Sequence, residues 1–320
     1  MTDGTRQQTA RAEAVRAPGQ STGELLCRYP VISFAVLAYG LSWLGWTPYV
    51  LSQHGLGLVQ IRFPEILGDG QLAGLLPGAY IGPLLSAYLV TRAVDGPAGV
   101  RRWGRRLVRW RAGWPWYVFA LLGIPLLLAV GTLPLPGAAA SLTWPSLSAV
   151  LVYFPMLVIQ MLTTGIAEEP GWRDFALPRI QRSHGPVLGG TVILGIVWSG
   201  WHLPLFLTDW AAAYPSDALT LVLFTLVGIV LSLLITWVFN HTNEGLPLAM
   251  LIHASNNNFL SVVWPALFPD LEPSRNILWA SLIGYGALSL VLLTVTRGRL
   301  GYPRIAERPD QGTHGRTVQM

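Results

Sequence analysis

The stretch ALTLVLFTLVGIVLSLLITWVF, Ala218 to Phe239, decides the class of fold. Its 22 residues carry no charged side chain. A helix needs about 20 predominantly apolar residues to cross a hydrocarbon core of about 30 Å. In that core every backbone N–H and C=O must be satisfied, which a helix does within itself. The stretch reads as a membrane span. Working outward, segments near 31–52, 73–94, 114–135, 147–169, 187–207, 245–263 and 277–296 read the same way. The expected fold is all-α: a polytopic membrane helical bundle of about eight transmembrane helices. It occupies residues 25–300, between polar tails at 1–24 and 301–320 that lack periodicity and read as disordered.

Composition agrees. Of 320 residues 52% are hydrophobic and 12% charged, about half the charged share of an average soluble domain. The net charge of +5 comes from arginine alone, because the sequence has no lysine. Basic chains can bind nucleic acid, but here the arginines flank apolar segments, which reads as membrane orientation, with the lipid bilayer as partner and no nucleic acid. Arg92, Arg101, Arg102, Arg105, Arg106, Arg109 and Arg111 lie between spans two and three, and Arg173, Arg179 and Arg182 between four and five. Arg297, Arg299, Arg304 and Arg308 follow the last span. The loops at 53–72, 136–146, 208–217 and 264–276 hold only Arg62 and Arg275. This alternation puts both termini in the cytoplasm. The loop at 240–244 should share that side although it has no arginine. The run 101–111, with Trp103 and Trp110, reads as an amphipathic interfacial segment or as a plain orientation signal. Gly78, Gly82 and Gly195 would allow close helix approach. The single cysteine, Cys27, excludes an intrachain disulfide framework and cysteine metal clusters. A lysine-free chain rich in arginine and alanine fits a GC-rich bacterial genome, hence a bacterial plasma membrane.

Against this apolar background stands Ala167-Glu168-Glu169-Pro170-Gly171-Trp172-Arg173. Ionisable groups at membrane depth are a functional-site hypothesis by default. On a continuous helix Glu169 and Arg173, four apart, share a face and can pair, while Glu168 is turned about 100° away. The simplest division makes Glu169–Arg173 a structural ion pair and Glu168 the reactive carboxylate, unless Pro170 and Gly171 break the helix. Solvation of both glutamates at a helix end remains open. Two later spans carry histidines, His202 in Trp198-Ser-Gly-Trp-His202 and His253 in His253-Ala-Ser-Asn-Asn257. His253 and Asn257 share one helix face. Either histidine alone could be a satisfied buried residue.

Together the three stretches resemble the motifs of the CPBP family of CAAX proteases and bacteriocin-processing enzymes, also called the Abi family. Glu168 to Arg173 is similar to its EExxxR motif, Trp198 to His202 to an aromatic residue four before a histidine, and His253 to Asn257 to HxxxN. The similarity covers about 145–265. Two positions depart: Trp198, where phenylalanine is common, and Asp174, where a small residue often follows the arginine. Neither is a catalytic position in the motif. The resemblance implies an intramembrane endopeptidase whose cavity opens to the cytoplasm. It implies that Glu168 and His202 activate the attacking water, that His253 and Asn257 stabilise the oxyanion, and that Glu169 and Arg173 support them. It leaves open one zinc ion on Glu168, His202 and His253, with Glu169 then the base, or no metal. The substrate would be a peptide or protein, with bacteriocin maturation or self-immunity as the setting. A non-enzymatic immunity or scaffolding protein that keeps the motif for structure is the alternative.

Helix geometry sets a condition. From the arginine-rich end, His253 lies about 12 Å deep and His202 about 22 Å, at 1.5 Å per residue. They meet Glu168 only if span four runs past Arg173 and span five begins nearer 193.

Overall fold

The computed structural model describes residues 22–66, 70–212 and 214–302, and among them every regular element is helical. The expected tails fall almost wholly outside these residues. Residues 22–24 do not belong to a tail, because they open the helix Thr22–Arg28.

Six helices are long and apolar enough to cross a membrane: Pro30–Leu51, Gln71–Val94, Trp114–Thr132, Leu147–Leu207, Ala218–His241 and Arg275–Val295. The chain is an integral membrane protein. Local chemistry sets the ends of these helices. The Asp217 side chain accepts from Thr220 N at 2.9 Å, and Ser146 accepts from Ala149 N at 3.3 Å, each filling a helix N-terminus. The fourth run has 61 residues and would extend about 90 Å if straight, three times the hydrocarbon core. It reverses at Gly185, whose φ of 75° is open to glycine. Beyond it Gly189 packs back so closely that a Cβ there would lie 2.7 Å from the Ile180 carbonyl oxygen. The helix Leu246–Asn258, continued to Leu267, is as long as its neighbours but too polar for a hydropathy criterion, because it carries His253, Ser255 and three asparagines. Eight passes follow if the long run is counted on both sides of Gly185 and this helix is added.

The loops sort into two ends. Arg106 pairs with Asp174 at 2.6 Å and also with Glu244, Arg109 donates to the Asn243 carbonyl, and Arg179 pairs with Asp95 at 3.0 Å. Asn240 donates to the Leu300 carbonyl at 3.0 Å. The arginine-bearing segments and the loop 240–244 therefore share one end, and that loop lacks arginines of its own because it borrows those of 101–111. At the other end His54 meets Asp209 at 2.9 Å, Arg275 pairs with Asp217, and Thr143 N donates to the Leu267 carbonyl at 2.8 Å. The four arginine-poor loops thus meet one another.

The run 101–111 is more than an interfacial segment. On the amphipathic helix Gly96–Leu107, Trp103 turns inward and its indole N–H donates to the Pro170 carbonyl at 3.3 Å. With Arg106 on Asp174, the helix is clamped to the segment after the two glutamates.

Many helices widen into π-helical turns, and most of these turns sit at or just before a proline, as in Tyr80–Leu84, Pro170–Ala176, Gly185–Ile193 and Phe259–Val263. A proline removes a backbone donor, and local widening re-satisfies the freed groups. Pro170 and Gly171 accordingly leave the helix unbroken, and it continues to His184. The hydropathy boundary of span four at 169 is therefore too early. Glycines set the close crossings: a Cβ on Gly195 would lie 2.7 Å from Ile229 Cα, one on Gly82 1.7 Å from Ser42 Oγ, and one on Gly171 2.6 Å from the Pro83 carbonyl oxygen.

Candidate active site

Glu168 and Glu169 are buried where the 147–184 run crosses the helix Leu246–Asn258. Gly165 allows the crossing, since a Cβ there would already press on Met250 at 3.2 Å. Glu169, fully buried, faces two partners. Its Oε2 lies 3.2 Å from Arg173 Nε, and its Oε1 lies 2.9 Å from His253 Nδ1. Arg173, also fully buried, donates to Ser232 Oγ at 3.3 Å and stacks 4.8 Å over the Trp198 ring. The expected i,i+4 pair is present, and Glu168 is turned away from it.

Trp198 gathers the rest. Its indole N–H donates to Glu168 Oε2 at 2.8 Å. Its ring packs edge-on against His253 at 5.1 Å and His202 at 5.7 Å. Its carbonyl, one turn before His202, lies 2.9 Å from His202 Nδ1. A carbonyl only accepts, so Nδ1 carries the proton and the neutral ring leaves Nε2 as an acceptor. Trp201, Trp210 and Phe224 enclose the His202 ring at 4.6, 5.6 and 5.4 Å. The histidine follows the helix Leu194–Trp201, which continues the π-helical Gly185–Ile193, so the span begins at 185 and not near 193 as the sequence geometry required.

Asn257 completes the group. Tyr285 Oη donates to Asn256 Oδ1 at 2.7 Å, and Asn256 Nδ2 donates to Asn257 Oδ1 at 2.8 Å. With its oxygen engaged, Asn257 has its amide N–H groups left for the cavity. Glu168, His202, His253 and Asn257 all line one cavity of about 500 Å³.

The wall segments of the cavity are 71–79, 156–168, 198–205, 224–231, 253–261 and 277–281, joined by Trp46 and by Ile66, Trp210 and Tyr214 from the arginine-poor loops. No residue of 92–111, 173–184 or 240–245 lines it. The arginine-bearing segments thus take no part in its wall, and Trp103 and Arg106 clamp their end to the segment after the two glutamates. The sequence leaves a zinc ion on Glu168, His202 and His253 open. Among the described residues no three His, Cys, Asp or Glu side chains are grouped so that they could hold a metal ion. His253 Nδ1 is turned to Glu169 and His202 Nδ1 to a carbonyl. No step below runs through a metal.

Residues 150–259 match the family model of the type II CAAX prenyl endopeptidases, Rce1-like. This segment contains all four cavity residues. It is similar to the CPBP, or CAAX protease, family. A curated relative, CAAX prenyl protease 2 of Methanococcus maripaludis, is 24% identical over 140 residues, 42% of this chain and 51% of that protein. The match thus spans about half the length of the curated relative. Within this segment both departures from the motif touch the site: Trp198 binds Glu168, and Asp174 anchors Arg106. The sequence pattern singled out Trp198 only as an aromatic position. Its N–H was the available signal, since phenylalanine at that place has no donor.

Trp198→Phe isolates that donor, because the ring contacts stay. A hydrogen bond to a charged group contributes about 1.5–3 kcal/mol, so peptide cleavage should slow about 10- to 100-fold, while the protein still folds in detergent with a somewhat lower melting temperature. Cleavage at the wild-type rate would remove Trp198 from the account.

Proposed function

We propose that this chain is an intramembrane endopeptidase of a bacterial plasma membrane, with eight passes and both termini in the cytoplasm, in which Glu168 and His202 activate water against a peptide bond. The observation that carries this reading is the contact of one indole, Trp198, with Glu168, His202 and His253 at the wall of one cavity. Glu168 is the base, with one carboxylate oxygen fixed by the indole and the other left for water. His202 Nε2 accepts from the same water and orients it. The proton taken by Glu168 passes to the leaving amine as the tetrahedral intermediate collapses.

His253 and Asn257 hold the oxyanion. Since His253 Nδ1 faces Glu169, its Nε2 can donate only from the protonated ring. In that state two buried carboxylates, Glu168 and Glu169, face two cations, Arg173 and the His253 imidazolium, and the cluster is neutral. Neutrality matters because an uncompensated buried charge is strongly destabilising. The relative is named as a CAAX prenyl protease. For this chain the substrate class is a peptide, in maturation or self-immunity.

The test is hydrolysis of membrane-reconstituted apolar peptides by the purified chain, followed by mass spectrometry, before and after exhaustive chelation. Cleavage that survives chelation is the expected result. No cleavage by a folded protein would defeat the protease reading, and activity lost on chelation and restored by zinc would defeat the water-activation scheme.

A further inference from the structure

A second cavity, of about 450 Å³, lies against the helix Gly96–Leu107 and shares no lining residue with the one that holds Glu168 and the histidines. We infer that it binds a phosphate monoester group, carried by a lipid headgroup or by a free phosphate compound. The inference goes beyond the peptidase reading and does not depend on it.

Charge is the first observation. Five arginines line the cavity: Arg102, Arg105, Arg106, Arg109 and Arg179. Against them stand the lining carboxylates Asp95 and Asp174, with Glu244 beside the wall. Asp174 and Glu244 both pair with Arg106, and Asp95 pairs with Arg179 at 3.0 Å. All three carboxylates are thus engaged by two of the arginines. Arg109 donates to the Asn243 carbonyl, which is neutral. Among the described residues no carboxylate forms an ion pair with Arg102 or Arg105. Five cations against three anions leave the cavity with two positive charges in excess.

Spacing is the second. Arg102 stands three before Arg105 and four before Arg106 on one helix. Side chains so spaced are neighbours, and like charges there are destabilising. An anion seated among them turns that repulsion into attraction. A phosphate monoester carries about −1.5 to −2 charge at neutral pH and three strong acceptor oxygens. It matches the charge excess and the three guanidinium groups that lack a carboxylate, and the planar fork of arginine suits phosphate oxygens two at a time. A carboxylate brings less charge and one oxygen fewer. The occupant also bears on the rest of the bundle. The same helix holds Trp103 on the Pro170 carbonyl and Arg106 on Asp174, so relieving its repulsion steadies the clamp on the segment after Glu169.

The test melts the full chain, purified in detergent, with phosphatidic acid, phosphatidylcholine, inorganic phosphate or no addition. A ligand at about 100 times its Kd should raise the melting temperature by about 5–10 °C. Phosphatidylcholine, whose headgroup has no net charge, should not. A rise with inorganic phosphate supports the inference with a free phosphate compound as the source. A rise with phosphatidic acid alone supports it with a lipid headgroup as the source. No rise with either overturns it, as does an equal rise with phosphatidylcholine. Arg102→Gln combined with Arg105→Gln should abolish the rise, while melting without ligand stays at or above the wild-type value because a repulsion is gone. Arg297→Gln combined with Arg299→Gln removes the same charge from exposed residues outside the cavity, and should keep the rise. Any other pattern in the two double variants means that net charge or another site draws the anion, and overturns the inference.

Discussion

Glu168→Gln abolishes peptide cleavage and leaves the protein folded. Glutamine keeps the volume of the side chain, and its carbonyl oxygen can still accept from the Trp198 indole. What it cannot do is take a proton from water. Removing a general base lowers the rate by about 10²- to 10⁴-fold, and the loss here sits at the upper end because no second carboxylate is free to substitute. Glu169, the adjacent one, is held by Arg173 and His253. The melting temperature in detergent should stay at the wild-type value. Equal cleavage by the two proteins would remove Glu168 from the chemistry. Equal loss of cleavage and of thermal stability would make Glu168 a structural residue, as in an immunity or scaffolding protein.

The second large effect is on stability. Arg173 is fully buried against Glu169, Ser232 and the Trp198 ring. Arg173→Leu leaves Glu169 as a buried carboxylate with only His253 to face it. Breaking a buried pair in this way costs about 3–5 kcal/mol, which lowers melting by about 10 °C for a chain of this size. Adding Glu169→Gln removes the stranded charge, so the double variant should melt closer to wild type than the single one does. Residues in direct contact are expected to couple in this manner. A single variant that melts normally would show that the pair does not hold the bundle.

Much of this was legible in the sequence. The apolar runs gave the helices, and the arginine pattern sorted the loops into the two groups that the ion pairs join. The spacing of Glu169 and Arg173 gave their pairing, and that of His253 and Asn257 gave their shared place on the cavity wall. The rest depends on contacts distant along the chain. Helical periodicity assumes a regular α-helix, so it could not foresee that Pro170 and Gly171 widen the helix instead of breaking it. Hydropathy averages over a span and says nothing about which half of a bundle is hollow, so the end at which the cavity lies came only with the structure. The inward turn of Trp103 and Arg106 was hidden for a similar reason. An amphipathic arginine helix has the same pattern whether its partner is lipid headgroups or Asp174.

The most direct measurement compares the peptide termini in membrane fractions of a host carrying the wild-type chain with those of a host carrying Glu168→Ala, at equal abundance of folded protein. The account predicts new termini with wild type alone. Identical termini in the two hosts would contradict it.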